Sequence, residues 1–97
     1  MIVEAAYKVP GGKMVRACVE VEGGVIKRVA FTGDFFMEPG EIIDELGEAL
    51  TGVKACDEEV RKAVTEFFAG REVLLWGVSP EDFAKAVSLA LQKLRQR

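Results

Sequence analysis

A chain of 97 residues makes one domain with one core, since a chain this size buries roughly two-thirds of the surface its unfolded form exposes. Apolar residues make up 49% of it, which excludes a disordered segment, and no apolar run approaches the ~18 residues of a membrane span. The net charge of −3 argues against a general nucleic-acid binder, which needs a basic face, and the absence of histidine removes the commonest general base and metal ligand.

Asparagine is also absent, and Glu, Lys and Arg supply nearly all the surface polarity, a bias that fits a thermophile. The N-terminus, Met1-Ile2-Val3-Glu4, lacks the basic leader and apolar stretch of a secretory signal, so the expectation is a soluble, cytoplasmic chain. Cys18 and Cys56 are far apart in sequence. They read as small half-buried apolar residues, with a disulfide as the alternative that hyperthermophile proteins allow.

The first predicted strand runs from Ile2 to Val9, followed by a turn at Pro10-Gly11-Gly12-Lys13. Val15, Ala17, Val19 and Val21 alternate with Arg16, Cys18, Glu20 and Glu22, which predicts a second strand over Met14 to Glu22. A third strand runs from Val25 to Phe31. A two-residue Gly23-Gly24 turn would set Val19 opposite Arg28. A three-residue loop, Glu22-Gly23-Gly24, sets Val21 opposite Val25, Ala17 opposite Val29 and Val15 opposite Phe31. The second register gathers the apolar positions on one face and is the one expected.

From Pro39, which fits the first turn of a helix, the period becomes helical. Ile42, Ile43, Leu46, Ala49 and Leu50 form its apolar face and Gly52 ends it. Asp57 is placed as the cap of a second helix with Val60, Val64, Phe67 and Phe68 inward, ending at Gly70. Val73-Leu74-Leu75-Trp76 is too short for a helix and reads as a strand. Ser79 caps a third helix, with Pro80 first and Asp82 three residues on, close to a capping box. Its stripe is Phe83, Ala86, Val87, Ala90, Leu91 and Leu94, and Lys93, Arg95 and Arg97 suit the dipole at its end. The predicted fold is a single α+β domain over residues 1–97. It is a two-layer arrangement, a mainly antiparallel sheet of three to four strands with three helices on one face, in the order β-β-β-α-α-β-α.

No constellation for autonomous catalysis is present: there is no histidine, no nucleophile paired with a base and no phosphate-binding loop. Ser79 is explained as a cap and Ser88 has no partner base. Pro10-Gly11-Gly12-Lys13 lacks the spacing of a phosphate loop and opens no helix, so it reads as a hairpin turn with an exposed lysine. The segment Gly33-Asp34-Phe35-Phe36 stands out, because two large rings at a strand-to-helix corner need cover. Gly33 and Asp34 shape the corner; the rings fill it or meet a partner, or one turns in and the other out. The first helix carries Glu38, Glu41, Asp44, Glu45 and Glu48 without a basic residue. Its like-charge pairs Glu41/Glu45 and Asp44/Glu48 each cost ~0.2–0.5 kcal/mol, which solubility or a basic partner surface would explain. Gly47 inside that helix suggests close approach of another backbone. Trp76 reads as core, rim or interface anchor.

The run Phe31-Thr32-Gly33-Asp34-Phe35-Phe36 with Glu38-Pro39 behind it, Gly11-Gly12-Lys13, the hairpin Val21 to Ile26 and the helix Ile42-Ile43-Asp44-Glu45-Leu46 together resemble a known family. The pattern is similar to the small accessory domain of lipoate–protein ligases, fused behind the catalytic domain in many bacteria and separate in some archaea. The resemblance implies a non-catalytic subunit in a heterodimer with a catalytic large subunit. That large subunit would hold ATP, Mg and lipoate and the catalytic lysine, form lipoyl-adenylate, and pass the lipoyl group to a lysine of an acceptor domain. This chain is expected to bind no cofactor or metal alone and to touch neither nucleic acid nor membrane. Gly33, Asp34, Phe35, Phe36, Glu41 and Glu45 become the candidate interface, and Lys13 with Arg16 candidates to assist the partner's adenylate site. The alternatives are a scaffold or carrier of the iron–sulfur assembly type, for which Cys18 and Cys56 supply at most two ligands, and a self-associating structural domain.

Overall fold

Alternation of Val15, Ala17, Val19 and Val21 with polar neighbours puts one face of a strand in the core, and all four side chains are buried. In the computed structural model, which describes residues 1–95, this strand is the centre of the molecule. Arg97 lies outside the described residues. The elements are β1 (Ile2–Lys8), β2 (Met14–Glu22), β3 (Val25–Gly33), β4 (Phe36–Glu38), α1 (Ile42–Leu50), α2 (Asp57–Ala69), β5 (Leu74–Trp76) and α3 (Pro80–Arg95). β1, β2 and β3 form an antiparallel sheet in that order. α3 lies under β1 and β2, α1 under β3, and α2 packs on both helices, so the helices share one face. The other face leaves Glu4, Ala6, Arg16, Arg28 and Ala30 in solvent. This is the two-layer α+β build expected from strands bunched ahead of helices. Among the described residues no helix is long and apolar enough to cross a membrane.

Two features depart from expectation. The β2–β3 connection is the two-residue loop, with Gly23 and Gly24 at φ +61° and +80°, the pair of left-handed positions a tight hairpin of this twist demands. Glu22 faces Val25 and Val21 faces Ile26; then the register slips and Glu20 faces Arg28, Val19 faces Val29 and Ala17 faces Phe31. The expected three-residue loop, with Val21 opposite Val25, is overturned. A β-bulge inserts one residue into β3, so that Ile26 joins Val29 and Phe31 on the buried face despite opposite sequence parity. The second departure is β4. Phe36–Glu38 is not a lead-in to a helix but a strand, antiparallel to β5 in a separate two-stranded ribbon. Pro39 follows a cis peptide and lies in the turn before α1, its carbonyl accepting from the Ile42 N–H at 3.3 Å.

The helices show smaller shifts. α1 buries Ile42, Leu46, Gly47 and Leu50, while Ala49, expected inward, is exposed. The rotation follows from Gly47: a Cβ there would stand 2.6 Å from the Val29 carbonyl oxygen, so only glycine lets α1 sit this close to β3. Helix propensity alone would favour alanine by ~1 kcal/mol. The clash is with backbone, and overpacking costs ~1–3 kcal/mol. Gly47→Ala is therefore expected to lower stability by about 0–2 kcal/mol in urea denaturation, and a variant stabilised by the full helix-propensity gain would contradict the close approach. α2 begins at Asp57 with Cys56 before it, and no side chain caps it; the Asp57 carboxylate instead accepts from Arg95 at 3.2 Å, tying the start of α2 to the end of α3. α3 has the return half of the expected capping box: the Ser79 N–H and hydroxyl donate to the Asp82 carboxylate at 2.7 and 3.0 Å, while the Asp82 N–H donates to the Ser79 carbonyl at 3.0 Å rather than to the hydroxyl. Near its end Lys93 donates to the Glu4 carbonyl, fastening α3 to β1.

Candidate partner-docking site

Three connections meet at one end of the domain: the β1–β2 turn, the β3–β4 bend and the β5–α3 loop. The Lys13 N–H donates to the Gly77 carbonyl at 3.0 Å, and the Met14 N–H donates to Asp34 Oδ1 at 2.8 Å. Asp34 thus bonds an amide twenty residues away in sequence. That amide above all, then its own backbone N–H, Lys13 and Lys8, hold the exposed Asp34 carboxyl below the ordinary carboxylate value of 3.8, against an opposing effect of desolvation. Gly33 is compelled by space: a Cβ there would lie 2.1 Å from the Met14 carbonyl oxygen.

From this bend the two adjacent rings part company, as extended backbone requires. Phe35 turns inward and meets Phe83 edge to face, with centroids 5.2 Å apart. Phe83 is fully buried and also contacts Phe31 at 5.4 Å and Phe68 at 6.0 Å. Phe36 turns outward and is 52% exposed. Its neighbour across the ribbon is Trp76, 64% exposed, and on the same face Leu74 is 52% exposed. Met37 and Leu75 on the opposite face pack against the core. The ribbon therefore shows solvent an apolar surface of Phe36, Leu74 and Trp76. Glu38, directly across from Leu74, continues the same face outward.

Phe36 was legible as half of a split aromatic pair; Trp76 was legible only as core, rim or anchor, and Leu74 was missed. A run of four apolar residues, Val73 to Trp76, has no alternation from which to read a face. The other predicted residues are distributed. Glu41 and Glu45 are exposed at the start of α1, where the Glu41 carbonyl receives the Glu45 N–H at 3.3 Å. Lys13 lies against Gly77, at the ribbon end of the site. Arg16 is on the outer face of the sheet, paired with Glu4 at 3.2 Å. Ser88 lines an open cleft of about 240 Å³ with Tyr7, Asp57, Arg61 and Lys85. Cys18 and Cys56 are free thiols. Among the described residues no group of three His, Cys, Asp or Glu side chains could hold a metal ion. The arrangement offers a surface for contact.

The family described as bacterial lipoate protein ligase C-terminus matches residues 3–87. The chain belongs to this family. It is 32% identical over 74 residues to lipoate-protein ligase A subunit 2 of Thermoplasma acidophilum, covering 76% of each chain. In three dimensions it is similar, with a TM-score of 0.77 and 30% identity, to a chain in the structure of an archaeal lipoylation system from Thermoplasma acidophilum, a bi-partite lipoate protein ligase and its E2 lipoyl domain. That likeness covers 90% of this chain and 94% of the other. The resemblance read from the glycine, aromatic and hairpin pattern is thereby borne out. This member of the lipoate ligase family is an accessory domain by fold, and its bend, ribbon and acidic helix lie within the matched span.

Proposed function

We propose that the chain is the accessory subunit of a two-part lipoate–protein ligase, forming a heterodimer with a catalytic large subunit. It is required there for ATP-dependent activation of lipoate to lipoyl-adenylate, before transfer to a lysine of a lipoyl domain. The observation that carries this reading is similarity over most of its length to a protein named as subunit 2 of such a ligase. Nucleotide, Mg and lipoate belong to the large subunit. The work of this chain is to dock: it covers the adenylation site, excludes water from it and holds a loop of the large subunit in place, as lids do. The bend Gly33-Asp34-Phe35-Phe36 supplies a rigid edge. Glu41 and Glu45 face a basic surface of the partner. Lys13 brings positive charge toward the adenylate; Arg16, paired with Glu4 on the outer face of the sheet, would have to leave that pair to assist.

The test is reconstitution. The catalytic subunit is assayed for ATP- and lipoate-dependent adenylate formation with and without this chain. Adenylate is expected only with both, and a catalytic subunit equally active alone would sink the reading. For the acidic helix, reversing Glu41 and Glu45 to lysine should slow association and flatten its salt dependence, because exposed charges act mainly on the encounter rate. Stopped-flow rates that match the unaltered chain at every salt concentration would remove those two residues from the interface.

A further inference from the structure

We propose that the outward face of the β4–β5 ribbon, built by Phe36, Leu74 and Trp76, is the anchor by which this chain grips its catalytic subunit, with Trp76 at its centre. The inference rests on the accessory-subunit reading above and says which surface does the gripping. Side chains this large and at least half exposed present an apolar patch on the order of 300 Å², in the range that on a monomer is commonly functional. The ribbon's register makes the patch continuous, since Phe36 and Trp76 are direct cross-strand neighbours and Leu74 is two residues from Trp76 on the same face. Its position is not incidental. The backbone bond from Lys13 to Gly77, the residue after Trp76, fixes the end of β5 to the β1–β2 turn.

The surroundings select the occupant. Glu38 flanks the patch at one end and Asp34 stands at the other, with Lys13 as the nearby cation. A second copy would bring acids against acids. Two such patches alone would bury only about 600 Å² in total, in the range of incidental contacts rather than of a stable dimer. An anionic lipid surface meets the same acidic rim. The fitting partner is a different protein chain with an apolar pocket wide enough for an indole, bordered by Lys or Arg. Tryptophan is the residue type that most often dominates such contacts.

Trp76→Ala and Phe36→Asp are each titrated calorimetrically into the catalytic subunit of the same ligase. Trp76→Ala is expected to weaken binding at least 30-fold, with an unchanged thermal melt by circular dichroism because the side chain is mostly in solvent. Phe36→Asp should weaken it at least tenfold. Trp76 is the chain's single tryptophan, so the unaltered chain labelled with 5-fluorotryptophan gives one ¹⁹F resonance. That resonance should shift when the catalytic subunit is added, a readout independent of whether any variant folds. Binding by Trp76→Ala within threefold of the unaltered chain, or an unmoved resonance in a formed complex, overturns the proposal while leaving the function standing. An isolated chain that sediments as a dimer, and as a monomer after Trp76→Ala, overturns it in favour of a second copy. An unaltered chain that neither binds the catalytic subunit nor raises adenylate formation ends both readings.

Discussion

Phe83→Ala should destabilise the domain by about 3–5 kcal/mol, the range for removing a fully buried phenylalanine ring. The site is sensitive because three other rings converge on it. Phe31 comes from β3, Phe35 from the bend and Phe68 from α2, at centroid distances of 5.2 to 6.0 Å. The Phe31 and Phe35 pairs are edge to face and the Phe68 pair is stacked, and aromatic pairs of this kind contribute ~0.5–1.5 kcal/mol each beyond their buried area. The sheet, the bend and two helices therefore share one side chain. Against a total stability of ~5–15 kcal/mol for a domain, the loss consumes a large fraction. It corresponds to a fall in melting temperature of about 15–30 °C. Urea denaturation with a circular-dichroism readout measures it, and a loss under about 1.5 kcal/mol would mean that the neighbouring rings collapse into the space. Phe83→Leu, which keeps most of the volume, should recover about half of the loss.

Gly33→Ala is the second substitution with a large expected effect. Its methyl group would lie 2.1 Å from the Met14 carbonyl oxygen and 2.9 Å from the Phe35 ring. The first obstacle is backbone of the neighbouring strand, which cannot rotate away as a side-chain tip can. The bend must open, and overpacking of this kind costs about 2–3 kcal/mol. The displacement also passes to Asp34, whose carboxylate takes the Met14 N–H, and to Phe36, the first residue of β4. Association with the catalytic subunit should fall by more than the stability loss implies, since the ribbon is re-aimed as well as loosened. Calorimetric titration beside the urea curve separates the two effects. Native affinity in a folded Gly33→Ala variant would show that the bend does not set the ribbon's orientation.

How much of this was legible in the sequence depends on the range of the interactions involved. β2 was readable to its bounds because nine residues of alternation leave little freedom. The α3 stripe and its Ser79–Asp82 cap were readable because helix periodicity and capping are local. The opposite directions of Phe35 and Phe36 follow from backbone geometry at one peptide. What was not readable is non-local. β4 is three residues long, too short to show a period, and exists because β5 pairs with it from far down the chain. The β2–β3 register turned on a single inserted residue, Lys27, which lets the two-residue loop coexist with an apolar face that unbroken alternation would have denied it. The exposure of Leu74 and Trp76 depends on which side of a two-stranded ribbon reaches the core. Arg16 resembled a free cation until β1 brought Glu4 beside it.

The two hydrogen bonds at the end of the domain, from the Lys13 N–H to the Gly77 carbonyl and from the Met14 N–H to the Asp34 carboxylate, bear on how contact with the proposed partner would proceed. They immobilise the bend and the ribbon's far end as the domain itself folds. The conformational entropy of that surface is therefore spent on folding and is not charged again at the encounter. A surface prepared in this way is expected to dock as a rigid body, with little of the large negative entropy and heat-capacity change seen when a loose segment orders on binding.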